Sequence, residues 1–198
     1  MSLIAPVYWL LGYLLGSLPF ALWITRLVKG VDVRDAGSGH VTTTNTIRQA
    51  GWAAGALVLA LDLGKGFLAV WLARHAGLLG WSLALTGSLA VAGHCWPVFA
   101  QFRGGMGLAT MGGGLIAISP LAFLLALGTL IFLVLVIRHS ARASVVTGLV
   151  VPLVLWLTGL RGDVIWLAAF SGIIITIRFT IDWTRKYREL WLDREKKI

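Results

Sequence analysis

Charge is scarce in this chain. Only 13% of its 198 residues are charged, and only eight are acidic. A water-soluble domain of this size needs far more charge to cover its surface. With 58% hydrophobic residues and a mean hydropathy of +0.87, the chain belongs in a membrane. Cysteine is nearly absent: Cys95 stands alone, which excludes an internal disulfide. Four scattered histidines beside it show no metal-ligand spacing, so neither a metal nor a cofactor is expected. GxxxxGK[ST], GxSxG and HxxxxD are all missing. Nucleotide-loop and serine-hydrolase chemistry therefore lack their motifs, as does the acid/base unit of common acyl-transfer enzymes. The net charge is +9, but the cations form no continuous stripe, so no nucleic-acid partner is expected. The N-terminus also lacks the basic stretch of a signal peptide, and its first apolar run reads as a retained helix.

Apolar runs are present in abundance, at about 3–25, 52–73, 79–100, 106–119, 121–138, 143–160 and 164–181. A spanning helix needs about 20 residues. Seven spans are expected. The run over 106–119 is short, and Pro120 parts it from the next, so a re-entrant piece or a broken helix fits it as well. With the N-terminus outside, 14 of the 17 lysines and arginines fall on the inner side. Arg74 and Arg161 remain outside, and Lys65 lies within a span. That is a strong positive-inside bias. The predicted fold class is an all-α integral membrane protein with seven transmembrane helices, N-terminus outside and C-terminus cytoplasmic. Residues 1–182 form the membrane domain and 183–198 a basic cytoplasmic tail.

Four unusual segments gather on the inner side. The first is the polar stretch Gly30–Gly51, GVDVRDAGSGHVTTTNTIRQAG, with Arg34 and Arg48. Small hydroxyl residues, glycines and arginines suit an anion, most plainly a phosphate. The second is Gly93–Gly107, GHCWPVFAQFRGGMG, where glycines before a helix start let backbone N–H groups approach a phosphate. Packing is the competing reading, favoured for Gly112–Gly114 and disfavoured for 104–107. The third and fourth are Arg138–Ser144 (RHSARAS) and Arg178–Asp182 (RFTID). Asp62 and Lys65, three residues apart inside the second span, suit a structural ion pair slightly better than direct catalysis. His94 alone is more often a packing residue than a catalyst.

GSLPFA at 16–21, GVDVRDAGSGHVTTTN at 30–45, LDLGKGF at 61–67 and GHCWPVFAQFRGGMGLAT at 93–110 resemble, in order and spacing, the bacterial acyl-phosphate:glycerol-3-phosphate acyltransferases of the PlsY type. The resemblance implies a multi-pass protein of the bacterial inner membrane that acts in phospholipid biosynthesis. Its partners would be acyl phosphate, glycerol 3-phosphate and membrane lipid, and its product lysophosphatidic acid. It further implies catalytic roles for Ser38, Asn45 and His94. Substrate binding would fall to Gly39, Thr44, Arg48, Arg103, Gly104, Gly105, Gly107, Ser144 and Arg178. The chain departs from the family pattern at several positions. His40 replaces Asn, Thr42 replaces Gly and Met106 replaces a lysine. Phe179, Ile181 and Asp182 stand where His, Glu and Asn are usual. These departures leave open a weakly active or inactive paralogue that binds a phosphorylated lipid precursor. A transporter of a phosphorylated solute is a third reading, ranked last because no internal repeat is visible.

Overall fold

A computed structural model describes residues 4–184 of the chain. The expected basic tail over 183–198 lies almost wholly outside the described residues. Among these, every regular element is helical.

The first apolar run, expected as one helix, is two: α1 (Ala5–Gly16) and α2 (Phe20–Lys29). Pro19 is the physical reason. It has no N–H to give the helix, and it disfavours helical geometry at Leu18. The break strands backbone carbonyls inside the membrane, where each needs a partner. Leu18 O accepts from Lys65 Nζ at 3.0 Å.

The polar stretch that follows is not all loop, because its second half forms α3 (Thr43–Ala50). Thr42 caps it, its Oγ1 accepting from Asn45 N at 3.3 Å. Then come α4 (Trp52–His75), α5 (Gly80–Cys95), a 3-10 turn (Val98–Ala100), α6 (Leu108–Ile118), α7 (Pro120–Ile137), α8 (Ser140–Leu157) and α9 (Asp163–Thr180).

Among the described residues, six helical stretches are long and apolar enough to cross a membrane: Ala5–Lys29, Trp52–His75, Gly80–Ala100, Pro120–Ile137, Ser140–Leu157 and Asp163–Thr180. The run expected as a fourth span yields only the 11 residues of α6. At 1.5 Å per residue this is about 16 Å, roughly half of a bilayer core. Ser119 and Pro120 end it and start α7, with Ser119 Oγ accepting from Ala122 N at 3.3 Å.

Small residues let these helices touch backbone to backbone. A Cβ on Gly66 would lie 1.9 Å from Thr110 O, and one on Gly113 would lie 1.9 Å from Leu63 O. The packing reading of Gly112–Gly114 therefore holds, since α4 and α6 meet through these positions. By contrast α7 buries only Ala122 and leaves Ile131, Phe132, Leu135 and Val136 exposed, as a lipid-facing helix would. At the end of the bundle where α5 and α9 begin, Asp163 Oδ1 accepts from Gly80 N at 2.6 Å.

Candidate functional site

At the other end of the bundle the chain is irregular and polar, and one side chain organises the first loop. Asn45 is fully buried in the opening turn of α3. Its Nδ2 donates to Val33 O, Ala36 O and His40 O at 2.9, 3.0 and 3.0 Å, and its Oδ1 accepts from Ser38 N at 3.2 Å. No charge is spent, yet residues 33–40 are held in one conformation. Ser38 is buried and accepts from His40 N at 3.4 Å.

Two arginines tie this loop to the connector between α5 and α6. Arg34 binds Asp32 through Nε at 3.0 Å and Nη2 at 2.7 Å, and reaches Ala100 O and Gln101 Oε1 through Nη1, both at 3.3 Å. Arg26 adds a 2.5 Å bond to Asp32. The Arg34 hydrogen bonds hold the Asp32 carboxyl well below the usual carboxylate range, against some burial. In return the carboxylate raises Arg34. Arg103 donates through Nη2 to Arg34 O at 2.7 Å and to Asp35 Oδ1 at 3.0 Å, in an exposed pair.

The glycine segment sits at the junction of all the other parts. Gly104 O accepts from Val41 N at 3.3 Å, and Gly105 N donates to His94 O at 3.0 Å. A Cβ on Gly104 would lie 2.3 Å from His94 O, and one on Gly105 would lie 2.1 Å from His94 Nε2. From α9, buried Arg178 donates through Nε to Gly105 O at 2.9 Å and through Nη2 to Gly104 O at 3.4 Å. Gly107 caps α6 with φ +86°, a conformation few other residues adopt. Close backbone approach thus accounts for Gly104 and Gly105 directly.

The same guanidinium reaches the first loop. Arg178 Nη2 lies 3.4 Å from His40 Nδ1, and His40 Nε2 lies 2.7 Å from Asp182 Oδ2. The third segment joins here too: Arg142 Nε donates to Trp183 O at 3.3 Å, and its guanidinium sits over the Trp183 ring. All four segments singled out in the sequence therefore meet on one face.

Beneath this face lies a second charged cluster. Asp62 Oδ1 is 2.8 Å from Lys65 Nζ and 3.5 Å from His94 Nδ1, with all three side chains buried. A small cleft lined by Leu18, Pro19, Phe20, Val41 and Pro97 reaches it, with Asp62, Lys65 and His94 in its wall.

The expected site residues fall into groups. Ser38, Gly39, Arg103, Gly104 and Gly105 belong to the interlocked loops, which Asn45 of α3 and Arg178 of α9 tie together. Thr44 and Arg48 lie half-buried on α3, in its first and last turns. His94 is at the floor and Gly107 at the start of α6. Ser144 is buried within α8, and its hydroxyl donates to Ser140 O at 2.9 Å. Met106 is partly buried and packs against the main hydrophobic core, which includes Phe179. Ile181 is exposed. Sequence reasoning missed the contact between His40 and Asp182. The available signal was that both are departures from the family pattern.

A helical membrane bundle with an arginine-, amide- and glycine-rich loop cluster at one face is the class these features define. A family model described as glycerol-3-phosphate acyltransferase matches residues 6–188. The chain belongs to the glycerol-3-phosphate acyltransferase family. It is 43% identical over 150 residues to the glycerol-3-phosphate acyltransferase of Rubrobacter xylanophilus, covering 76% of this chain and 75% of the relative. One from Coxiella burnetii is 38% identical over 189 residues, covering 96% of this chain and 95% of the relative. The crystal structure of PlsY (YgiH), an integral membrane glycerol 3-phosphate acyltransferase in its glycerol 3-phosphate form, superposes with a TM-score of 0.80 at 36% identity. That match covers 91% of this chain and 90% of PlsY. Its lysophosphatidic acid form gives 0.79.

Proposed function

We propose that this chain transfers an acyl group from acyl phosphate to the 1-hydroxyl of glycerol 3-phosphate, giving lysophosphatidic acid for phospholipid synthesis at the bacterial inner membrane. The observation that carries this reading is the family match over nearly the whole chain, joined to a face where arginines, glycines and a fixed polar loop converge. Both substrates carry phosphate, and Arg48, Arg103 and Arg178 are the cations placed to hold it. Acyl phosphate is already activated. The acceptor oxygen attacks the carbonyl carbon, and the bond to phosphate breaks, so catalysis rests on orientation and electrostatics. Asn45 acts by fixing the loop that carries Ser38 and His40. His94 holds Gly105 from below.

The acyl chain has a matching surface. An apolar groove runs between α6, α7, α8 and α9, lined by Leu108, Met111, Leu115, Phe123, Leu130 and Val151 among others. It starts one residue past Gly107, so a chain lying in it brings its head group to the glycine segment. Seven passes with α6 as a short fourth, N-terminus outside, put every loop of this face in the cytoplasm. The positive-inside bias supports that orientation.

The test is lysophosphatidic acid formation by the purified protein with acyl phosphate, acyl-CoA or acyl carrier protein as donor. Product from acyl phosphate alone is expected. Product only from a thioester, or none from any donor, would overturn the reading.

A further inference from the structure

We propose that His40 and Asp182 are positioning residues that aim Arg178 at a phosphate, with the imidazole supplying one acceptor and one donor and taking no proton from substrate. The inference rests on the reading above that this face holds a phosphorylated substrate. Both residues depart from the family pattern, and they depart together, in contact across 142 positions of sequence.

The family pattern has Asn at both positions. An Asn side chain presents an acceptor on one side and a donor on the other, and so does a neutral imidazole. Arg178 has only donors, so His40 Nδ1, 3.4 Å from Nη2, turns its lone pair to the guanidinium. Nε2 then carries the hydrogen and donates it to Asp182 Oδ2 at 2.7 Å. Asp182 has the shape of an Asn and accepts what the imidazole gives. Each departure therefore compensates for the other. The two side chains are only 13% and 5% exposed, so water is a poor substitute for either bond.

The pair acts on one end of α9. Arg178 lies in its last turn and Asp182 four residues on, and both reach the same imidazole. The backbone of His40 is fixed separately, because its carbonyl accepts from Asn45 Nδ2 at 3.0 Å. The guanidinium is thus gripped along one edge. Nε donates to Gly105 O at 2.9 Å, and Nη2 meets Gly104 O and His40 Nδ1, each at 3.4 Å. Nη1 has no partner among the described residues and remains as the edge for an anion. Without His40, the plane of the guanidinium is set by glycine carbonyls alone. Asp182 acts one step further out: it fixes the ring and strengthens Nδ1 as an acceptor, as a carboxylate behind a histidine does.

The test is binding and turnover by the purified full chain, shown to be folded by thermal melting. The set is wild type, His40→Leu, His40→Asn, Asp182→Ala, and His40→Leu combined with Asp182→Ala. Isothermal titration with glycerol 3-phosphate gives Kd, and turnover gives kcat and the KM of each substrate. His40→Leu removes both polar atoms and should raise Kd and KM for glycerol 3-phosphate about 10–100-fold, with a smaller change in kcat. His40→Asn returns one acceptor and one donor, and should recover most of that loss, to within about threefold of wild type. Asp182→Ala should cost less than His40→Leu. The double variant should cost no more than His40→Leu, because Asp182 acts through the imidazole. It removes the carboxylate together with the ring, so it stands in for His40→Leu if that variant is unstable. A rise in the KM for acyl phosphate alone would uphold the pair and assign the held phosphate to the donor. Unchanged Kd and KM values in His40→Leu or the double variant would overturn the proposal, as would a His40→Asn protein as weak as His40→Leu. A wild type that binds glycerol 3-phosphate with this dependence on His40 yet makes no product would uphold the positioning and overturn the transfer. A wild type that neither binds it nor makes product would overturn both.

Discussion

Two clusters in this protein have the same ingredients, a histidine, an aspartate and a cation, and differ in everything else. Asp62, Lys65 and His94 lie within the bundle, and two of them are three residues apart on one helix. Lys65 spends its ammonium on Asp62 and on the broken first helix, and His94 is closed in against Gly105. His40, Arg178 and Asp182 come from opposite ends of the chain and lie at the polar face. The buried cluster compensates for irregular backbone within the membrane. The other ties the first loop to α9 and to the residues just past it. Composition alone does not separate a charge cluster within the bundle from one at the polar face. Where the polar atoms point does.

The largest expected effect tests the buried cluster. Lys65→Ala strands both the Asp62 carboxylate and Leu18 O, and should cost about 3–5 kcal/mol, read as a large drop in melting temperature in detergent. A Lys65→Ala protein that melts like wild type yet has lost turnover would erase the contrast and make this cluster chemical. Next in size, Asn45→Ala removes four hydrogen bonds from a buried loop and should cost about 2–4 kcal/mol. Activity should fall with it, and retained activity at unchanged stability would separate Asn45 from the polar face. Gly113→Ala forces a methyl against Leu63 O and should cost about 1–3 kcal/mol by parting α4 from α6. A neutral outcome in the same melting assay would show that the two helices give way more easily than their contact suggests.

Smaller effects belong to the rim. The Asp32 carboxyl has its pKa depressed in the folded protein, chiefly by Arg34. Its stabilising contribution is then present above the ordinary carboxylate pKa of about 3.9 and is lost as pH falls below it. Asp32→Asn should flatten the acid side of the stability profile and leave neutral pH less affected. The smallest effect is that of Arg103→Ala. Its pair with Asp35 is about half exposed on the arginine side and two-thirds on the other. The stability cost should be about 0.2–1 kcal/mol and should shrink with salt. A larger loss of glycerol 3-phosphate affinity in this variant would mark Arg103 as a phosphate ligand as well as a tie between loops.

Much of the bundle was legible because apolar runs and their charged flanks are local signals. The Asp62–Lys65 pair was legible for the same reason, since three residues of separation fix a shared helix face. The break at Ser17–Pro19 was not read, although Pro19 stood inside the run, because apolar length outweighed one residue. α3 was hidden by its polarity: Thr42 and Asn45 look like loop residues until the threonine is seen capping a helix. The glycines at 104–107 were read as anion-binding amides. Their spacing does not reveal that Arg178 and the end of α5 press against the same backbone. The His40–Asp182 contact lay beyond any local pattern, and only the coincidence of two departures from the family motifs pointed toward it. Met106 reads in sequence as a lost cation at the surface, whereas in the structure it packs on the core.

The central claim is that glycerol 3-phosphate binds at the face where these segments interlock. Hydrogen exchange of the purified protein with and without saturating glycerol 3-phosphate tests it most directly. Added protection is predicted across 38–48, 103–107 and 178–182, with none at 76–80 or 158–163 on the opposite end of the bundle. Protection confined to that opposite end, or no change anywhere at saturation, would contradict the account.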